Sequence, residues 1–205
     1  MKTKIGKLNI ETHDDYLGKI LRGNKFYEES YLKFSLTQLK QDGGFILDIG
    51  ANIGNHTLFW LYKGFYVNSF EPIRKNYRLL HCNVFGNSLG DNSELYKFGF
   101  GEKEETIKLQ VFAHNMGACR RGEGGEDVTI HLLDNYNFGK IQLIKIDVEG
   151  MEGKVIRGGL ETIKKYKPDL MVEINKQETR DLIESLGYKK IFGKGNNKTI
   201  YFKFQ

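Results

Sequence analysis

Phe45-Ile46-Leu47-Asp48-Ile49-Gly50-Ala51-Asn52-Ile53-Gly54-Asn55-His56-Thr57 is the stretch on which the fold turns. Its first five residues are apolar save one and read as a buried strand. Gly50 and Gly54 follow, then a helical run from Asn55 to Lys63 that Gly64 ends. Glycines here let the backbone turn tightly and let a ligand lie against it with no Cβ in the way. Their spacing is Gly-x-x-x-Gly, not the Gly-x-Gly-x-x-Gly of dinucleotide enzymes. Asp48 sits near the carboxyl end of the strand, where its carboxylate accepts an N–H bond or faces a cation. Tyr66–Phe70 reads as a second strand, and Glu71-Pro72 follows it, with Glu71 standing 21 residues after Gly50. That is the interval at which an acidic residue after a second strand reaches a ribose diol. A bare turn and a helix-start charge would explain the parts, but not their conjunction.

Outward from this unit, strands and helices alternate. Tyr77, Leu80 and Val84 mark a helix face, Glu94–Phe100 a third strand and Thr106–Phe112 a further extended segment. Ile141–Val148 is the clearest strand. Ile156, Leu160 and Ile163 define one helix, which Pro168 bounds. Leu170–Ile174, Tyr188–Phe192 and Thr199–Phe204 read as strands, and Glu178–Leu186 as a helix. The alternation predicts an α/β fold around a mostly parallel sheet with helices on both faces and an antiparallel pair at its end. Ligands in such folds bind at the edge where the strands end. Residues 1–44 carry a short alternating segment and helices, one with Leu32, Leu36 and Leu39 on one face; they read as an extension packed on a core domain of residues 45–205.

Composition narrows the class. Of 205 residues, 40% are hydrophobic and 28% charged, the balance of a folded soluble domain. The net charge of +5 is compatible with an anionic partner, but Lys and Glu are mixed along the chain, so most of it reads as solvated surface. Cys82 and Cys119 form no Cys-x-x-Cys pair, which argues against a disulfide framework or a zinc knuckle. The stretch Met1–Lys7 lacks the apolar run of a signal peptide, and no run is long enough to span a membrane. A cytoplasmic protein is expected.

Three stretches in this order, Asp48–Thr57, Phe70-Glu71-Pro72 and Ile144-Lys145-Ile146-Asp147-Val148-Glu149-Gly150-Met151-Glu152, resemble the FkbM family of S-adenosylmethionine-dependent methyltransferases. Pro168-Asp169-Leu170-Met171-Val172-Glu173 looks like that family's closing strand motif, and the resemblance runs from Tyr27-Glu28 to the carboxyl terminus. It implies a Rossmann-like, seven-stranded class I methyltransferase sheet and S-adenosylmethionine as cofactor. The implied reaction is O-methylation of a sugar hydroxyl in a glycan or natural product. On that resemblance Asp48, Gly50, Ala51 and Asn52 line the methionine part of the cofactor. Asn55 and His56 open the next helix beside it, Glu71 holds the ribose hydroxyls, and Pro72 stands next to it on the cofactor. Where the family often has a polar residue near the adenine, this chain has Phe98-Gly99-Phe100, and Phe98 or Phe100 is expected to pack against the base instead.

The chemistry agrees. A sulfonium is cationic, and carboxylates at the sheet edge, Asp48 and Asp147, favour it. An alcohol is a poor nucleophile while protonated, so a base is expected beside it. Asp147 is the first candidate, Glu149 the second, and Glu173 and Asn175 emerge from the next strand. A plainer role for Glu149-Gly150 is to shape a turn. A divalent metal is the lesser alternative, because no further acidic cluster stands out. Residues 113–127 read as a loop over the active edge, with His114 and Asn115 facing the acceptor. The expected acceptor is a sugar or glycan, nucleotide- or lipid-linked. Neither an Asn-Pro-Pro-Tyr-like loop nor a Pro-Cys nucleophile is present, which closes the common routes to nucleic-acid bases. RNA ribose methylation and a non-catalytic cofactor-binding role stand as alternatives; the first needs a basic stripe that the chain lacks.

Overall fold

The computed structural model describes residues 2–12, 15–112, 115–121 and 124–205. The chain opens with a hairpin, β1 (Lys2–Ile5) and β2 (Leu8–Glu11), and two helices, α1 (Asp15–Arg22) and α2 (Glu29–Leu36). Then come β3 (Phe45–Ile49), α3 (Asn55–Tyr62), β4 (Tyr66–Phe70), α4 (Arg74–Phe85) and β5 (Ser93–Tyr96). A second group follows: β6 (Gly99–Phe100), β7 (Glu105–Phe112), β8 (Asn115–Arg121) and β9 (Glu126–His131). The last third holds β10 (Ile141–Ile146), α5 (Glu152–Arg157), α6 (Leu160–Tyr166), β11 (Asp169–Glu173), α7 (Gln177–Ser185), β12 (Tyr188–Phe192) and β13 (Thr199–Phe204).

Seven strands form the main sheet in the order β12-β13-β11-β10-β3-β4-β5. Only β13 runs against the others, pairing antiparallel with both β11 and β12. Successive strands turn alternate side chains to opposite faces, and each face has its own core. Ile46, Val67, Leu143 and Met171 pack with α3, α4 and the amino-terminal segment through Leu58, Leu80 and Leu32. Leu47, Ile49, Ile144 and Val172 pack on the other face with Val155, Ile163 and Ile183. The order in which strands are added reverses between the parallel neighbours β3 and β10, so a crevice opens beyond their carboxyl ends. Among the described residues no helix is long and apolar enough to cross a membrane.

Three local expectations are corrected. Residues 113–127 do not form one loop: Asn115–Arg121 is strand β8, paired antiparallel with β7. Its partner lies in a second, four-stranded sheet, β6-β9-β7-β8, which satisfies backbone groups that local propensity does not foretell. The third strand stops at Tyr96 because Gly99-Phe100 leaves the main sheet to pair with Ile130 and His131 of β9. The helix expected across Ile156 and Ile163 is two, broken at Gly158-Gly159. There the Gly101 carbonyl sits 1.8 Å from where a Cβ on residue 158 would lie, so the helices part to admit a neighbouring loop.

Candidate active site

The crevice beyond β3 and β10 is shaped by the glycine turn. Gly50 has φ +80, and a Cβ there would lie 1.8 Å from the Asp147 carbonyl oxygen. Only glycine lets the two loops touch. The Gly50 and Ala51 amides both donate to the Phe70 carbonyl at 3.0 Å, which ties the turn to the end of β4. Asn52, at φ 51, then aims its own amide at Glu71 Oε2, 2.9 Å away. Glu71 Oε1 accepts the Ile73 amide at 2.9 Å. The Glu71 carboxyl is buried, and burial pushes its pKa up to about 7 although both amide donors work against the rise.

A cavity of about 330 Å³ occupies the crevice. Gly50, Asn52, Glu71, Pro72 and Phe100 line it on one side, and Asp147 and Glu149 on another. Leu109 and Ile130 of the second sheet complete an apolar wall beside Phe100. Asn52, another lining residue, has its Oδ1 buried with no hydrogen-bond partner among the described residues. Phe98 lies outside the lining; its ring stacks on Tyr136 at 5.4 Å.

Four residues expected around the cofactor stand behind the cavity wall instead. Strand parity turns Asp48 toward α3, where Oδ2 accepts the Thr57 hydroxyl at 2.6 Å and Oδ1 lies 3.1 Å from Lys145 Nζ. Burial opposes its ionisation, but the Lys145 ammonium holds the carboxyl below its ordinary range. Ala51 is buried in the core on that same face. Asn55 is turned to the amino-terminal segment: its Oδ1 accepts the Tyr27 amide at 3.0 Å and its Nδ2 donates to the Tyr27 carbonyl at 3.1 Å. His56 Nε2 lies 3.3 Å from Glu28 Oε2, both side chains buried, and Glu28 also accepts from Thr199 and Asn197.

Parallel pairing of Ile146 with Val172 brings Asp147 and Glu173 out at one level of the edge. Glu149 adopts φ 54 and closes the group. Desolvation, together with the charges of Asp147, Glu173 and Glu152, pushes the Glu149 carboxyl up to about 7. Burial and Asp147 also raise Glu173, which accepts Asn175 Nδ2 at 2.6 Å. Asn175 in turn accepts Lys198 Nζ at 2.7 Å. Neither Glu173 nor Asn175 lines the cavity. The Tyr27 phenol is raised by burial and by the charges of Glu28, Asp147 and Glu173. Among the described residues no group of three or more His, Cys, Asp or Glu is arranged to hold a metal ion. His114 lies outside the described residues; Asn115 opens β8, and its side chain lies outside them too.

Sequence reasoning passed over Lys145, Tyr27 and Glu28. A lysine inside the apolar run Ile141–Ile146 is a legible signal, because a buried strand position tolerates a cation only when it is paired. Tyr27 and Glu28 carry no local mark.

Residues 48–190, well over half of the chain, match the family described as the methyltransferase FkbM domain. Among solved structures, the chain is similar to the FkbM methyltransferase of Methylobacillus flagellatus KT. The identity is 19% and the TM-score 0.64, over 87% of this chain and 47% of that one. It is also similar to the Pyrococcus abyssi tRNA (uracil-54, C5)-methyltransferase, solved in complex with S-adenosyl-L-homocysteine. There the identity is 10% and the TM-score 0.51, over 99% of this chain and 42% of that one. The chain spans a little under half the length of both, and at these identities the likeness is one of fold. No curated protein matches it.

Proposed function

The chain belongs to the methyltransferase FkbM family, and on that premise we propose that it is an S-adenosylmethionine-dependent O-methyltransferase of a sugar or glycan hydroxyl. One observation carries the reading: a single cavity brings the glycine turn, the buried acid Glu71 and the acidic pair Asp147 and Glu149 together at the sheet's switch point. S-adenosylmethionine is the cofactor of FkbM methyltransferases, and the residues present fit it. Glu71 offers acceptor oxygens to a ribose diol, and Asn52 brings an orphaned buried oxygen. Phe100 and Ile130 offer an apolar face to a base, and Gly50 leaves room for backbone contact with the amino-acid end. When bound, the cofactor supplies a methyl group made electrophilic by a sulfonium.

The protein's own part is positioning and proton management. Asp147 orients the acceptor hydroxyl by accepting its hydrogen bond. Glu149, with its carboxyl pushed up to about 7, is matched to neutral pH as a base and takes the proton at a carboxylate oxygen. The second sheet walls one side of the cavity from water through Leu109 and Ile130. The acidic rim disfavours a phosphate-rich RNA, which needs Lys and Arg to replace its counterions.

The test is transfer of a labelled methyl group from S-adenosylmethionine to a panel of deoxysugar-containing glycans, with RNA in parallel. Transfer to glycan is expected. Turnover should rise as pH passes through about 7, and Glu149→Gln should flatten that rise. Asp147→Asn should lower turnover by about 10²-fold, the cost of a misplaced acceptor. Labelled RNA with unlabelled glycans would overturn the acceptor assignment.

A further inference from the structure

Lys145 is a cation inside an apolar strand, and the reaction proposed above makes no use of it. Its side chain is 3% exposed. Residue pairing sets Lys145 beside Asp48 across β10 and β3, on the face that α3 covers, and the long stem carries the ammonium up to the sheet edge. There Nζ donates to the Gly50 carbonyl at 2.7 Å, meets Asp48 Oδ1 at 3.1 Å and lies 3.8 Å from Asp147 Oδ2. The ammonium thus donates one hydrogen bond, to Gly50, and is ion-paired with two carboxylates, Asp48 the nearer.

We propose that Lys145 is a positioning residue: one buried ammonium ties the carbonyl of the glycine turn to the carboxylate that faces the acceptor. The proposal rests on the reading of the cavity as an S-adenosylmethionine site. Its physical content is a fixed separation. Gly50 and Asp147 already touch, since the space of a missing Cβ is filled by the Asp147 carbonyl. Backbone contact alone leaves the Asp147 side chain free to rotate. The Lys145 ammonium, hydrogen-bonded to Gly50 and held beside Asp48, attracts the Asp147 carboxylate across 3.8 Å and biases it toward the turn. Asp48 thereby acts on the site through a second residue. A buried ion pair is seldom favoured over an apolar pair for stability alone, so a lysine kept solely to offset Asp48 would be a poor use of the position. Its reach to Gly50 and Asp147 supplies the reason for it.

The test separates this role from charge compensation. The double variant Asp48→Asn with Lys145→Met removes both charges together and leaves no carboxylate buried alone. Calorimetry with S-adenosylhomocysteine reads the site, and urea unfolding reads the fold. The expected result is a cooperative unfolding transition with binding weakened about tenfold or more, because a loosened turn presents its contacts off position. A double variant that binds like the wild type overturns the proposal, whatever its stability, because compensation of Asp48 would then be the lysine's whole role. Should the double variant fail to fold, Lys145→Arg serves in its place. It keeps the charge beside Asp48, but a planar fork does not reproduce the three directions of an ammonium. Loss of binding there supports the proposal, and unchanged binding overturns it. Wild-type protein that does not bind S-adenosylhomocysteine would overturn the cofactor reading as well, an outcome distinct from failure in the variants alone.

Discussion

Glu71→Gln separates the cost of holding a buried charge from the geometry that holds it. In the folded protein the carboxyl is pushed up to about 7 from an ordinary 4.5. Below pH 4.5 it is protonated whether the chain is folded or not, and it costs nothing. Between 4.5 and 7 the unfolded chain releases the proton while the folded chain keeps it, so stability falls as pH rises; above 7 the loss is complete. At about 1.4 kcal/mol per pH unit, the loss between pH 5 and pH 8 is ~2–3 kcal/mol. Glutamine has no such titration. It does have a fixed defect: its amide group accepts only one of the two N–H bonds from Asn52 and Ile73, a cost of ~1–3 kcal/mol at every pH. The variant should therefore be the less stable protein at pH 5 and close to the wild type at pH 8. Urea unfolding of both proteins at the two pH values gives the double difference, in which the fixed defect cancels. A stability gap that is the same at both pH values, within ~0.5 kcal/mol, would show that Glu71 ionises normally and refute the reasoning. The ionised carboxylate is the form that accepts ribose hydroxyls, so wild-type affinity for S-adenosylhomocysteine should rise with pH through about 7. That rise should be missing in the variant.

Gly50→Ala places a methyl group on a backbone at φ +80 and 1.8 Å from the Asp147 carbonyl. The two loops must part, so calorimetry should detect no S-adenosylhomocysteine binding, and urea unfolding should show a loss of more than ~3 kcal/mol. Asn55→Ala removes both hydrogen bonds that clamp the Tyr27 backbone to the start of α3. Urea unfolding should show ~1–3 kcal/mol lost, and a stability unchanged from the wild type would show that the clamp holds nothing.

The fold was legible because its decisive strands are buried on both faces and read as largely apolar runs, as in Phe45–Ile49 and Ile141–Ile146. That same property hid which way each polar residue points. In a half-exposed strand, alternation tells inside from outside; in a strand covered on both sides, Asp48 and Lys145 look alike on either face. The acid after β4 was found because its interval from the glycine turn is set by one strand, one helix and one strand, whose lengths the sequence does express. β8 pairs with β7, the strand just before it, and the parting of α5 from α6 arises from contact with the distant Gly101. Neither leaves a trace in the residues concerned, beyond glycines that serve as well in an ordinary turn. Tyr27 and Glu28 were missed for the same reason: Asn55, His56 and Thr199 give them their place from far along the chain.

A chain of net charge +5 has gathered Asp147, Glu149, Glu173 and Glu152 close together, and burial first, then that crowding, raises the Glu149 carboxyl. In the proposed reaction the crowding is useful at two moments. Before transfer, the rim attracts a cationic ligand, and the attraction offsets part of the cost of keeping carboxylates close together. With a bound cofactor supplying a cationic methyl donor, proton uptake by Glu149 from the acceptor hydroxyl would cancel a negative charge in the same step. A poorly solvated cavity disfavours separated charges more than neutral groups, and a step that cancels them is assisted by the same burial that made them costly in the ground state. Glu149→Gln therefore removes a base and also a partner in that cancellation. The loss in turnover should exceed the loss in affinity for S-adenosylmethionine, and equal losses would mean that Glu149 acts on binding alone.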